Sequence, residues 1–117
     1  MTLAAAVRRS GLDALSARAC NDSVEFPHFL ANHAPMVLIA LDRLGASQDR
    51  LEEWYETYRA NSGLIRIPDR VAPIDARTWE AALGDRAREA DHRDFFAEEV
   101  RRLGIAGAVQ TYLPRLL

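Results

Sequence analysis

From Ala34 to Tyr58 the chain reads APMVLIALDRLGASQDRLEEWYETY, two helical periods joined only by Gly45, Ala46 and Ser47. The first holds the apolar run Val37 to Ala40 and reaches Leu44, where Gly45 suits a left-handed C-cap. The second opens on Ser47, a good N-cap, with Asp49 complementing the helix dipole. Leu51, Trp54, Tyr55 and Tyr58 then recur at offsets of 3, 4 and 7, which sets them on one helical face. A link this short makes the pair an antiparallel hairpin.

Other segments carry helical signals of their own. Leu3, Val7, Leu12, Leu15 and Ala19 keep a helical spacing that Ser10 and Gly11 interrupt, so a helix is predicted near Leu12 to Asn21 behind a frayed or kinked lead-in. After a turn at Asn21 to Ser23, the first hairpin helix is predicted to begin between His28 and Asn32. With Asn32 as its N-cap, Pro35 falls in the first turn, where a missing donor costs nothing.

The string NSGLIRIPDRVAP, Asn61 to Pro73, has Gly63, Pro68 and Pro73 and no helical period. It reads as an extended loop, of a length that is often functional or packs on a partner. Asp75 or Thr78 should cap a short helix bearing Trp79 and Leu83 and closed by Gly84. Arg86 to Leu103 sets Phe95, Phe96, Val100 and Leu103 opposite a charged face and ends at Gly104. A last helix runs from Ile105 to near Leu113 and stops around Pro114. With no strand-like alternation, the fold expected is all-α: a compact single domain, 1–117, of about five to six helices around the central antiparallel helical hairpin.

Composition removes several functions. A length of 117 residues supports one domain, and a 49% hydrophobic content beside 27% charged residues is that of a chain that folds. All 15 basic residues are arginine, scattered along the chain as a GC-rich coding sequence would leave them, so a Schiff-base lysine is excluded. A net charge of −2, with basic residues clustered no further than the pairs Arg8, Arg9 and Arg101, Arg102, argues against a nucleic-acid partner. The single Cys20 rules out an intramolecular disulfide and fits a reducing compartment, as a small buried hydrophobe. Neither a signal-like start nor an apolar run of about 18 residues is present; the expectation is a cytoplasmic chain without a membrane partner.

His33 is the leading candidate for chemistry. It stands at the mouth of the apolar helix, where a neutral imidazole that binds metal or accepts a proton is physically reasonable; the bland alternative is a capping or buried hydrogen-bonded histidine. His28 precedes it by five residues, about 140° apart on a helix, so the two rings converge only if the segment is partly unwound near Pro27. Two Glu-x-x-His strings, Glu25 to His28 and Glu89 to His92, have the spacing of di-iron bundle ligands. The first contains Pro27. The second sits among Arg86, Arg88, Asp91, Arg93 and Asp94, as a solvent face would, and the candidates for bridging glutamates, Glu52, Glu53 and Glu56, come from a single helix. The aromatic residues Trp54, Tyr55, Tyr58, Trp79, Phe95, Phe96 and Tyr112 serve either a pocket for a flat molecule or, the stronger reading for most, the core. No dinucleotide or phosphate-loop motif appears, so NADPH or a flavin would bind without a recognisable motif or not at all.

Asn32, His33, Pro35, Met36, Ala40, Leu41, Leu44, Gly45, Ala46, Leu51 and Tyr58, together with the block DFFAEEVRRLGIAGAVQTYLPRLL from Asp94 to Leu117, resemble the opening part of the questin oxidase family. These are oxygenases of aromatic polyketide pathways, and their members are longer. The resemblance implies a Baeyer-Villiger-type opening of anthraquinone-like rings at a non-haem iron site. His33 would be the catalytic residue and iron ligand, joined by His28, while Asn32, Met36, Trp54 and Tyr58 would form the substrate pocket, with Asn32 capping the helix or orienting the His33 ring. The family's later histidine-bearing segments have no counterpart here, so a second polypeptide or a homo-oligomer is expected to complete the site around an aromatic polyketide-like small molecule. The alternative is a non-catalytic helical module that binds an aromatic ligand or a protein partner, its apolar YLPRLL end favouring association.

Overall fold

The computed structural model describes residues 2–27 and 30–117; His28, expected as a second ligand, lies outside them. The chain forms two compact units, Met1–Ile67 and Pro68–Leu117.

The first unit contains α1 (Leu3–Ala19), two short strands, β1 (Glu25–Phe26) and β2 (Leu30–Ala31), then α2 (Ala34–Arg43) and α3 (Gln48–Ser62). Each helix gives its core one pair of residues four apart: Leu15 with Ala19, Ala34 with Leu38, and Leu51 with Tyr55. That spacing stacks both side chains on one face, and the six together form a single buried cluster edged by Leu12, Leu41, Trp54 and Tyr58. The predicted hairpin is present. Gly45 turns the chain at φ 91°, Ser47 Oγ accepts from the Arg50 amide at 3.3 Å, and Gly63 closes α3 in the left-handed conformation.

Three expectations for this unit need correction. First, α1 does not begin near Leu12 but runs unbroken from Leu3 through Ser10 and Gly11. A Cβ on Gly11 would come within 2.2 Å of Gln48 Oε1, so the glycine marks a close approach between helices and not a break. Second, α2 starts at Ala34, because the residues before it form an antiparallel pair with Glu25 opposite Ala31 and Phe26 opposite Leu30. The fold is therefore mostly helical and not purely so. Third, Cys20 is exposed. The loop after α3 is extended as predicted, and it is stitched to the segment after α1: Ser23 donates to Ile65 O at 2.7 Å and Ile67 to Asn21 O at 3.0 Å.

In the second unit, residues 76–84 form successive turns where a short helix was predicted. Asp75 Oδ1 accepts from the amides of Arg77 and Thr78 at 2.8 and 3.0 Å, and Thr78 Oγ1 accepts from Asp75 at 3.0 Å. The cap is present, but the segment is too short to sustain a ladder. A 3₁₀ turn at Arg86–Arg88 leads into α4 (Glu89–Leu116), which bends at Gly104, φ 73° and ψ 166°. The break predicted at Gly104 is present, since the backbone there is not helical, while the helix beyond it continues past the predicted stop and carries Pro114 inside it. The described residues hold four α-helices, fewer than predicted. The core is Trp79 with Ile74, Ala82, Phe95 and Tyr112. Phe96 and Tyr112 meet the Trp79 ring edge-on, with centroids 5.8 and 5.3 Å away, contacts worth about 0.5–1.5 kcal/mol each beyond burial.

Two acidic residues hold this unit together. Asp91, placed by its neighbours on a solvent face, is buried. It accepts from Arg88 Nε at 2.6 Å, from the Val71 amide at 3.2 Å and from the Ala72 amide at 3.3 Å, while Arg88 also donates to Ala72 O at 3.0 Å. The Arg88 guanidinium, then these amides, hold the Asp91 carboxyl below its ordinary value of 3.8. Glu99 accepts from Arg102 and, at 2.7 Å, from the Tyr112 hydroxyl. This bond joins the two sides of the Gly104 kink, and the Arg102 guanidinium is the first cause of a lowered Glu99 pKa.

The kink has a direct test. Gly104 occupies a backbone region reserved for glycine, so Gly104→Ala should cost about 1–3 kcal/mol in urea unfolding; an unchanged midpoint would contradict the bend. The acid pair sets a pH dependence. A carboxyl whose pKa is lower in the folded chain stabilises it fully above the unfolded value and loses that contribution as pH falls through the folded one. Stability should therefore decline as pH falls below 4.5 through Glu99 and below 3.8 through Asp91, and Asp91→Asn, destabilised at neutral pH, should show a shallower acid decline. Parallel pH curves for the two proteins would refute the role of Asp91.

Candidate functional site

The site built from the sequence centres on the entry to α2. Asn32 makes three hydrogen bonds there. Its amide donates to Val24 O at 2.8 Å, its side-chain Nδ2 to Ser23 O at 3.2 Å, and its Oδ1 accepts from the Ala34 amide at 3.0 Å. Both ends of its side chain are therefore engaged with backbone. The N-cap is His33, φ −93° and ψ −2°, with no side-chain cap of its own, one residue later than predicted. Asn32 nevertheless supplies the acceptor for the first amide of the helix, so the capping function expected of it is carried out from one position further back.

His33 is exposed. Its backbone amide donates to the Tyr58 hydroxyl at 3.1 Å, which ties the start of α2 to the last turns of α3. The Tyr58 ring is stacked on Trp54, centroids 5.0 Å apart and planes 21° from parallel, and both rings are half-buried. Four of the residues named from sequence thus come together: Asn32, His33, Tyr58 and Trp54. Met36 stands three residues into α2 and is 63% exposed.

Iron needs more than this. One imidazole does not hold a metal ion, and among the described residues no three His, Cys, Asp or Glu side chains are grouped to do so. His92 offers no ready donor, since its Nδ1 lies 3.2 Å from Arg88 O and its Nε2 3.1 Å from Trp79 O. Glu89, three residues before it, pairs with Arg93 at 2.8 Å. The Glu89-x-x-His92 string therefore serves the packing of the second unit. The described residues of this chain do not amount to an iron site, and no chemical step is routed through one.

A cleft of about 370 Å³ lies in the second unit, between residues 70–74 and α4. None of Asn32, His33, Met36, Trp54 or Tyr58 lines it. Of its residues only Phe95 was named from sequence as a possible pocket residue; two further signals pointed there: the end of the long Asn61 to Pro73 loop, and acidic residues at positions 91, 94 and 98, which recur at helical spacing.

A comparison with known families gives one finding that covers most of the chain: a family model described as questin oxidase-like matches residues 30–116. No curated protein and no solved structure matches. The matched span includes Asn32 and His33, the α2–α3 hairpin, the cleft and the kinked α4, and on that extent the chain belongs to the questin oxidase-like family.

Proposed function

We propose that this chain is an oxygenase-related protein acting on flat, anthraquinone-type aromatic polyketides, and that its reactive centre forms where a second polypeptide or a second copy covers His33. The observation that carries this reading is the composition of α2. Ala34 and Leu38 are buried, yet Met36 and Ile39, turned away from them, are 63% and 44% exposed. The first eight residues of α2, Ala34 to Leu41, are apolar on every side before Asp42 and Arg43 close it, and a stretch of that kind belongs inside a protein. Its uncovered face begins beside His33, so the body that shields Met36 and Ile39 also comes within reach of the imidazole.

In such an assembly each residue has a physical role. Asn32 fixes the helix entry, the Tyr58 hydroxyl holds the His33 backbone, and the stacked Trp54 and Tyr58 rings add a flat, partly open surface against which an aromatic molecule can lie. Iron would be held by His33 with donors from the covering body. A second reading is favoured by the absence of a grouped donor set among the described residues: a non-catalytic helical module whose uncovered α2 face binds an aromatic ligand or protein partner.

Metal analysis combined with light scattering separates the two. The oxygenase reading expects the associated species to carry stoichiometric iron, His33→Ala to lose the iron while keeping its size, and Ile39→Glu to yield a smaller, metal-free species. Associated protein without metal would overturn that reading and leave the binding module.

A further inference from the structure

The cleft of the second unit supports an inference that does not depend on the function proposed above. Its volume of about 370 Å³ suits a small organic molecule. Val71, Pro73, Ile74 and Phe95 supply apolar wall, and Asp91, Asp94, Glu98 and Glu99 face it with only Arg70 in opposition. Each of these carboxylates has an arginine partner: Arg88, Arg70, Arg101 and Arg102 in turn. Three of the four, Arg88, Arg101 and Arg102, do not line the cleft. Those ion pairs therefore turn their negative ends inward, and because the carboxylates are nearer, the field inside does not cancel.

The carboxylates differ in what they can still accept. Asp91 is buried and saturated by Arg88 and two amides, and Glu99 is held by Arg102 and Tyr112. Asp94 and Glu98 have side chains 54% and 67% exposed; Arg70 grips Asp94 through both carboxylate oxygens, whereas the exposed pair of Glu98 with Arg101 exchanges partners at little cost. We infer that this cleft binds a small organic cation, an amidinium or ammonium on an apolar body. The body lies against Val71, Pro73 and Ile74, and the N–H donors reach Asp94 and Glu98. An anion of the same shape meets the same carboxylates and is repelled; a neutral one lacks the charge-assisted bonds.

Three isosteric probes test this on the intact chain by amide-resolved NMR titration: benzamidinium, benzamide and benzoate. Benzamidinium should give saturable shifts at Val71, Ala72 and the amides from Asp94 to Glu98, with benzamide roughly tenfold weaker and benzoate without effect. Glu98→Gln, at an exposed helical position that tolerates it, should bind benzamidinium roughly fivefold more weakly with an otherwise unchanged spectrum. Benzoate or benzamide binding as well as benzamidinium, shifts centred away from the cleft, or full affinity in Glu98→Gln would each overturn the inference.

Discussion

Asn32 does for the first unit what no apolar contact can. A helix begins with amides that lack partners, and a two-residue strand pair is too short to be stable alone. One side chain meets both needs, since its oxygen takes the Ala34 amide and its nitrogen returns to Ser23 O, while its own backbone amide bonds to Val24 O. Each such bond is worth about 1 kcal/mol net. Their joint effect is geometric. The next residue must be the N-cap, so His33 faces outward, and the residue after that must enter the core, where Ala34 is fully buried.

The second unit solves a like problem with a carboxylate. Asp91 lies in the first turn of α4, where the dipole favours negative charge, and it accepts the amides of Val71 and Ala72 from an otherwise irregular segment. Both units therefore fasten non-helical backbone to the start of a helix through one polar side chain. They differ in the surface each presents to solvent. The first unit leaves an imidazole beside an uncovered apolar face; the second leaves a cleft with an acidic rim.

Much of this was legible in the chain. The hairpin of α2 and α3 follows from Leu51, Trp54, Tyr55 and Tyr58, from Ser47, and from the glycine at 45, because apolar period and capping are local properties. The break at Gly104 was also legible, although a glycine can bend a helix as well as end it. What escaped depends on contacts distant in sequence. Strands of two residues have no alternation to display, and Gly11 reads as an interruption until Gln48 is seen against it. Asp91 sits in a charged string that looks solvated, and only the loop twenty residues earlier reveals that it is buried. For the site, the sequence named His33, Asn32, Tyr58 and Trp54, which do cluster, but the exposure of His33 is a property of the fold.

The chain belongs to the questin oxidase-like family and leaves His33 exposed; the proposed assembly would reconcile the two by covering that residue. No helix among the described residues is long and apolar enough to cross a membrane, so the uncovered α2 face is not accounted for by a spanning helix. The most direct measurement is the rate at which diethyl pyrocarbonate modifies each histidine in dilute protein of verified monomer mass, read by peptide mass spectrometry. His33, open at the N-cap, should react much faster than His92, whose ring lies between two carbonyl oxygens. Equal, slow modification of both would mean that the single chain already shelters His33, and the account of a surface awaiting its cover would be wrong.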